Sequence, residues 1–139
     1  MDERCERRFS HLAASVAAAR TFVADALHRL SAAGRFDDVV LCVSELATNA
    51  VEHTTGDDDF VVRVTVHDGV LRVEVTDRGD GAPVLRQAST ADDHGRGLFL
   101  VTVLADGWGV EPHAETGKTV WADFKLGTAA GSFPEVIAC

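Results

Sequence analysis

The sequence predicts a two-layer α/β sandwich, in which an antiparallel or mixed sheet is covered on one face by helices. Three observations carry this. Apolar residues recur at helical spacing in two long tracts of the first half and one of the second. Two pairs of alternating, β-branched segments each flank a turn signal, "DG" at 68–69 and "AETGK" at 114–118. The resulting order is helix–helix–strand–strand–loop–helix–strand–strand, which is two hairpins and three helices with no internal repeat.

Each element has a local reason. Residues 6–10 read as a short edge strand. Ser15 is a plausible N-cap for an alanine-rich helix over about 16–31, with Val16, Phe22, Val23, Leu27 and Leu30 as apolar positions and Gly34 as its stop. Asp37 or Asp38 then caps a second helix that runs to about His53. Its tract "VSELATNAVEH", 43–53, places Val43, Leu46, Ala47, Ala50 and Val51 on a core-facing side. "TGDDD", 55–59, reads as a solvated turn rather than a metal site. "FVVRVTVHDGVLRVEVTD", 60–77, is two strands about Asp68-Gly69. Residues 77–97 are rich in glycine and lack periodicity, so they read as a loop. "LFLVTVLAD", 98–106, resumes an apolar helix that Gly107 would end. "GWGVEPH" and "TVWADFKL" form the second hairpin. One domain over 1–127 is expected, with 128–139 a loosely attached tail.

Composition narrows the function. The 139 residues are 46% apolar, enough for a core without staples. A net charge of −9 opposes nonspecific binding to nucleic acid or anionic membranes, which needs clustered Lys and Arg. No apolar run reaches membrane-spanning length, and the N-terminal charges precede no signal-peptide stretch, so a cytoplasmic protein is expected. The three cysteines are scattered without a CxxC pair, and no two of the six histidines stand at ligand spacing, which speaks against zinc. An acidic protein still has room for one phosphate pocket built from backbone dipoles, a metal ion or a few placed cations.

Two nucleotide signatures fail. "GKT" at 117–119 resembles a P-loop, but Pro112 stands where the first glycine belongs. The dinucleotide fingerprint fails at Val84 after Gly79 and Gly81, and at Leu100 after Gly95 and Gly97. Four other pieces remain. Glu45 and Asn49 stand four apart on one helical face, and Glu52 or His53 extends that polar stripe. "DRGDG", Asp77 to Gly81, follows a strand. "GRGL", Gly95 to Leu98, leads into a helix. Thr119 opens the last strand.

Each piece suits nucleotide chemistry. The Asn49 amide oxygen is a hard ligand of the kind Mg²⁺ takes alongside waters and phosphate oxygens. Glu45 is placed to accept a proton from an attacking hydroxyl or water. An Asp77 carboxylate accepts a hydrogen bond from the exocyclic amine of adenine, and Gly79 and Gly81 leave room for a flat base. Gly95 and Gly97 would present unpaired N–H groups at a helix N-terminus, with Arg96 adding charge, and residues 82–94 would form a lid. Taken singly, each is more ordinarily a solvated face, a turn or a cap. Their joint order is what distinguishes them.

With these residues in place the chain resembles the GHKL ATPases of the Bergerat, or histidine-kinase-like, fold, and among them the small bacterial anti-sigma-factor serine kinases of the RsbW and SpoIIAB type. "SELATNAVEH" is similar to the family's N-box, "DRGDG" to its DxGxG box, "GRGL" to its second glycine box and "GKTVWADF" to its closing strand. The resemblance spans about residues 9–126. It implies a mixed, mainly antiparallel sheet with helices on one face, and ATP with Mg²⁺ as cofactors. Glu45 becomes the catalytic base, Asn49 the metal ligand and Asp77 the adenine reader. His53, Gly79, Gly81, Gly95, Arg96, Gly97, Leu98 and Thr119 line the nucleotide site, with Arg86 or Arg96 as the γ-phosphate contact. It further implies an anti-sigma antagonist and a sigma factor as partners, and a homodimer, which the apolar stripes alone do not demand. A non-catalytic ATP-sensing module uses the same pocket and stays open beside the kinase. The catalytic domain of a sensor histidine kinase is disfavoured, because His11 and His28 lack the sequence context of a phosphoacceptor helix.

Overall fold

The computed structural model describes residues 3–30, 34–53, 59–77, 93–113 and 117–126, with backbone alone at 3, 53 and 93–98. Strand β1 (Glu3–Phe9) is followed by helices α1 (Ala14–Arg29) and α2 (Phe36–His53), strands β2 (Phe60–His67) and β3 (Val70–Asp77), helix α3 (Asp93–Leu104), and strands β4 (Gly107–Pro112) and β5 (Lys118–Lys125). The five strands form one sheet in the order β1-β2-β3-β5-β4. Every pairing is antiparallel, so the sheet expected as mixed or antiparallel is wholly antiparallel among the described residues. Helices α1 and α2 pack against the same side of it.

The period-2 pattern shows why only one face is covered. In β3, Leu71, Val73, Val75 and Asp77 are buried, while Val70, Arg72, Glu74 and Thr76 between them are half-exposed. The buried set meets Val39, Val43 and Leu46 of α2 and Val23 and Leu27 of α1 in a single core. The other face carries crossed ion pairs, Glu6–Arg63–Glu74 and Arg72–Asp123, with the Arg72 guanidinium 4.2 Å above the Trp121 ring.

The first hairpin is as expected: Asp68 and Gly69 both have positive φ, at 53° and 78°, which is the twist of a type I′ turn. Several boundaries differ. The N-terminal strand begins earlier than residue 6 and pairs along its whole length with β2. Ser15 does not cap α1. The cap position is Ala13, which makes no side-chain cap bond, and the Ser15 hydroxyl instead meets that of Ser10 at 3.1 Å. Gly34, at φ 97°, lies past the end of α1 in the connection to α2. Asp37 and Asp38 fall within the first turn of α2, where carboxylates favour the helix dipole rather than cap it. Helix α3 ends at Leu104, two residues before the position adjoining Gly107, and Gly107 opens β4. The Leu104 carbonyl accepts a 3.0 Å bond from Arg35, whose guanidinium also reaches Asp106 and the Lys125 carbonyl and so ties α2, α3 and β5 together. The loop at 55–58, the segment 78–92 and the tail 128–139 lie outside the described residues. No helix among the described residues is long and apolar enough to cross a membrane.

Cys42 is fully buried in α2, and burial pushes its thiol up to about 12 from an ordinary value of 9.0. The neutral thiol is the form the fold favours. Its contribution to stability is therefore complete below pH 9 and declines as pH rises toward 12. Residue-resolved labelling with a disulfide reagent at pH 8 is expected to modify half-buried Cys5 in the native protein and to leave Cys42 untouched until denaturant is added.

Candidate nucleotide site

The site is built where β3 and β5 run out. Asp77 is the last residue of β3, and across the antiparallel ladder it faces Lys118, the first residue of β5. Partners directly opposite share a face, and this is the helix-covered one, continuing from Val75 and Val120. The Lys118 Nζ donates to Asp77 Oδ2 at 2.8 Å, and the two side chains are 4% and 2% exposed. A charged pair is thus sealed at the rim of an otherwise apolar layer. Desolvation makes such pairs poor stabilisers relative to apolar residues of the same volume, although removing one partner alone is costly.

Thr119 goes elsewhere. As the next residue along the strand it points to the opposite face, where its Oγ1 lies 2.7 Å from Thr76 Oγ1 and 2.9 Å from His113 Nε2. The structure therefore does not bring Thr119 beside Asp77; Lys118 has that position. The signal was present in the sequence. Phe124, Ala122 and Val120 alternate inward, and the same phase carried back two residues puts Lys118 inside and Thr119 outside.

Helix α2 supplies the second wall. Asn49 is 6% exposed, one heptad from Cys42 and one turn from Leu46, so it borders the buried arc of the helix rather than lying opposite it. Its carboxamide makes no hydrogen bond among the described residues. A buried amide with no partner among the described residues calls for an explanation, and an ion or ligand is one. Glu45, one turn earlier, is half-buried and likewise has no ion pair or hydrogen bond among the described residues. Glu52 is exposed, and the side chain of His53, the last residue of α2, lies outside the described set.

These features test whether Mg-ATP fits. A buried amide oxygen with no hydrogen bond among the described residues offers Mg²⁺ one hard donor, which is all this ion needs from the protein when phosphates and water fill the rest. Asn49 would hold the metal, with Glu45 beside it, and Asp77 would meet the base; bound ATP supplies a transferable phosphoryl group. The residues present fit.

Helix α3 begins at Asp93, so Gly95 to Leu98 lie inside it rather than ahead of it. The first turn of a helix still offers N–H groups with no partner within the helix, and here that turn includes Gly95; the N–H of Gly97 falls in the hydrogen-bonded ladder. Asp93 and His94, expected in a lid, are the opening residues of this helix. Gly79, Gly81 and Arg86, and the rest of the expected lid, lie outside the described residues, as does the side chain of Arg96.

The sheet is helix-backed and antiparallel, with a buried carboxylate at one strand end and, on the neighbouring helix, a buried amide that makes no hydrogen bond among the described residues, an arrangement that suits an α/β nucleotide-binding domain. The model of the histidine kinase-like ATPase domain matches residues 9–124, and the chain belongs to that family. It is an ATP-binding domain of this kind, and domains of the family bind ATP with Mg²⁺. Among solved structures it is similar to the histidine kinase domain of a blue-light activated histidine kinase from Erythrobacter litoralis EL346, with 24% identity and a TM-score of 0.57. That likeness covers 81% of this chain and 62% of the other, so the chain spans less than two thirds of that structure and shares its fold. The search of curated proteins found no match.

Proposed function

We propose that this protein is an ATP-dependent serine/threonine kinase of the anti-sigma-factor type, which phosphorylates an anti-sigma antagonist and sequesters a sigma factor when that antagonist is absent. The observation that carries the reading is the pair on α2: a half-buried Glu45 one turn from a buried Asn49, neither with a hydrogen bond or ion pair among the described residues. A domain that only holds ATP needs the second of these. A carboxylate with no ion pair among the described residues beside it suits removal of a proton from a protein hydroxyl as that oxygen attacks phosphorus. The resemblance of the "SELATNAVEH", "DRGDG" and "GRGL" segments supports the choice of partners. The acidic charge of −9 agrees with a protein that acts on other proteins and makes no direct contact with nucleic acid or membrane. Homodimer formation belongs to the same reading.

The test is phosphotransfer from labelled ATP to an antagonist encoded beside the gene. Glu45→Ala is expected to keep ATP affinity within a few-fold and to lower phosphotransfer by about 10²–10⁴-fold, the usual worth of a positioned base. An unchanged transfer rate in Glu45→Ala would remove the base assignment. ATP binding with no partner ever labelled would replace the kinase by an ATP-sensing regulatory module.

A further inference from the structure

We propose that Lys118 reads the base: Asp77 and Lys118 act as one acceptor–donor pair, the carboxylate taking the exocyclic amine of adenine and the ammonium donating to a ring nitrogen beside that amine. This deepens the ATP reading of the site and rests on it.

Four observations lead here. Lys118 lies directly opposite Asp77 on the helix-covered face, and the two form the outermost rung of that face on β3 and β5. Its side chain is only 4% exposed, so water has little access to the ammonium at its end. An ammonium has three N–H donors, and the 2.8 Å bond to Asp77 uses one; among the described residues no other partner is present. Thr119, the other polar residue at the start of β5, is committed to Thr76 and His113 on the opposite face and cannot serve.

Chemistry then selects the ligand edge. Buried donors seek acceptors, and a site that pairs a ligand's polar atoms rejects analogues lacking them, because its own groups are then left unsatisfied. A lone carboxylate asks only for a donor. The pair asks for a donor and an acceptor on neighbouring atoms, which is the pattern of the adenine amine with N1 on one side and N7 on the other. An apolar pair at this rung would hold the strands together at least as well, so the ion pair is better accounted for by recognition than by stability.

Calorimetry with ATP, 1-deaza-ATP and 7-deaza-ATP, each with Mg²⁺, tests this. The wild-type protein is expected to bind one of the two analogues about 10- to 100-fold more weakly than ATP, the worth of a hydrogen bond to a charged group. Lys118→Met is expected to bind ATP more weakly and to lose that discrimination, while Lys118→Arg, which keeps a charged donor, retains part of it. Circular dichroism establishes that the variants fold. Should Lys118→Met not fold, the wild-type comparison decides: one weakened analogue upholds the inference. Equal binding of all three nucleotides by the wild type overturns it, as does undiminished discrimination in a folded Lys118→Met. Both of those results leave ATP binding intact and remove this inference alone. A wild-type protein that binds no ATP removes the ATP reading and this inference with it.

Discussion

Asp77→Ala is expected to cost the protein about 3–5 kcal/mol of stability as well as its nucleotide, because it strands a buried ammonium. The Lys118 side chain is 4% exposed and has its 2.8 Å bond to Asp77 as its ion pair, so removal of the carboxylate leaves a charge with little access to water and no counter-ion among the described residues. The second step of the expectation separates the two losses. Adding Lys118→Met to Asp77→Ala replaces the pair by apolar atoms, and stability is expected to return to within about 1–2 kcal/mol of wild type or better. Nucleotide binding is not expected to return, since the acceptor for the adenine amine is still missing. Asp77→Asn, which preserves an oxygen for Lys118 but not the charge, falls between on stability and still weakens ATP. Urea denaturation and calorimetry on the four proteins measure both quantities. If Asp77→Ala is as stable as wild type, the pair is not sealed as described.

The second large effect belongs to the core. Phe60→Ala is expected to destabilise by about 3–5 kcal/mol, the range for deleting a fully buried aromatic side chain. Phe60 is 0% exposed, opens β2, and stacks on Phe9 of β1 with ring centroids 5.5 Å apart. Phe9 in turn meets Phe22 of α1 edge-on at 6.0 Å. One ring thus joins the edge strand to its neighbour and, through Phe9, to the first helix. The denaturant midpoint should fall while the slope of the transition stays unchanged; a changed slope would mean that β1 had detached instead.

The two expected effects differ in how far they were legible. Phe60 was readable as a strand residue because β-branched alternation and the Asp68-Gly69 turn set both the register and the inward face of the hairpin. Helix α2 was readable for the same kind of reason: its apolar period runs unbroken from Val39 to Ala50. Glu45 and Asn49 stood out against that period as polar residues in register.

Ends and pairings were less legible. A serine near a helix start is an N-cap only if the backbone before it turns correctly, and at Ser15 the helix had already begun one residue earlier. Glycines after an irregular stretch suggested a helix beginning beyond "GRG", yet α3 starts at Asp93, and its opening turn tolerates glycine where local propensity argues against it. Thr119 drew attention as the polar residue of a familiar-looking segment. Lys118 did not, because long charged side chains are ordinarily solvated. What buries it is a carboxylate from a strand forty-one residues earlier, at the same rung of the sheet.

The chain alone determined its element types, its helix-backed sheet and the presence of chemistry-bearing residues on α2 and at the end of β3. These depend on periodicity and turn geometry, which act over a few neighbouring residues. Tertiary structure alone decided that β1 to β5 pair antiparallel in the order β1-β2-β3-β5-β4, that Asn49 is buried without a partner among the described residues, and that Lys118 rather than Thr119 shares the face of Asp77. Strand order and cross-strand register are set by which distant surfaces bury each other, and a one-residue change of phase exchanges the two faces of a strand.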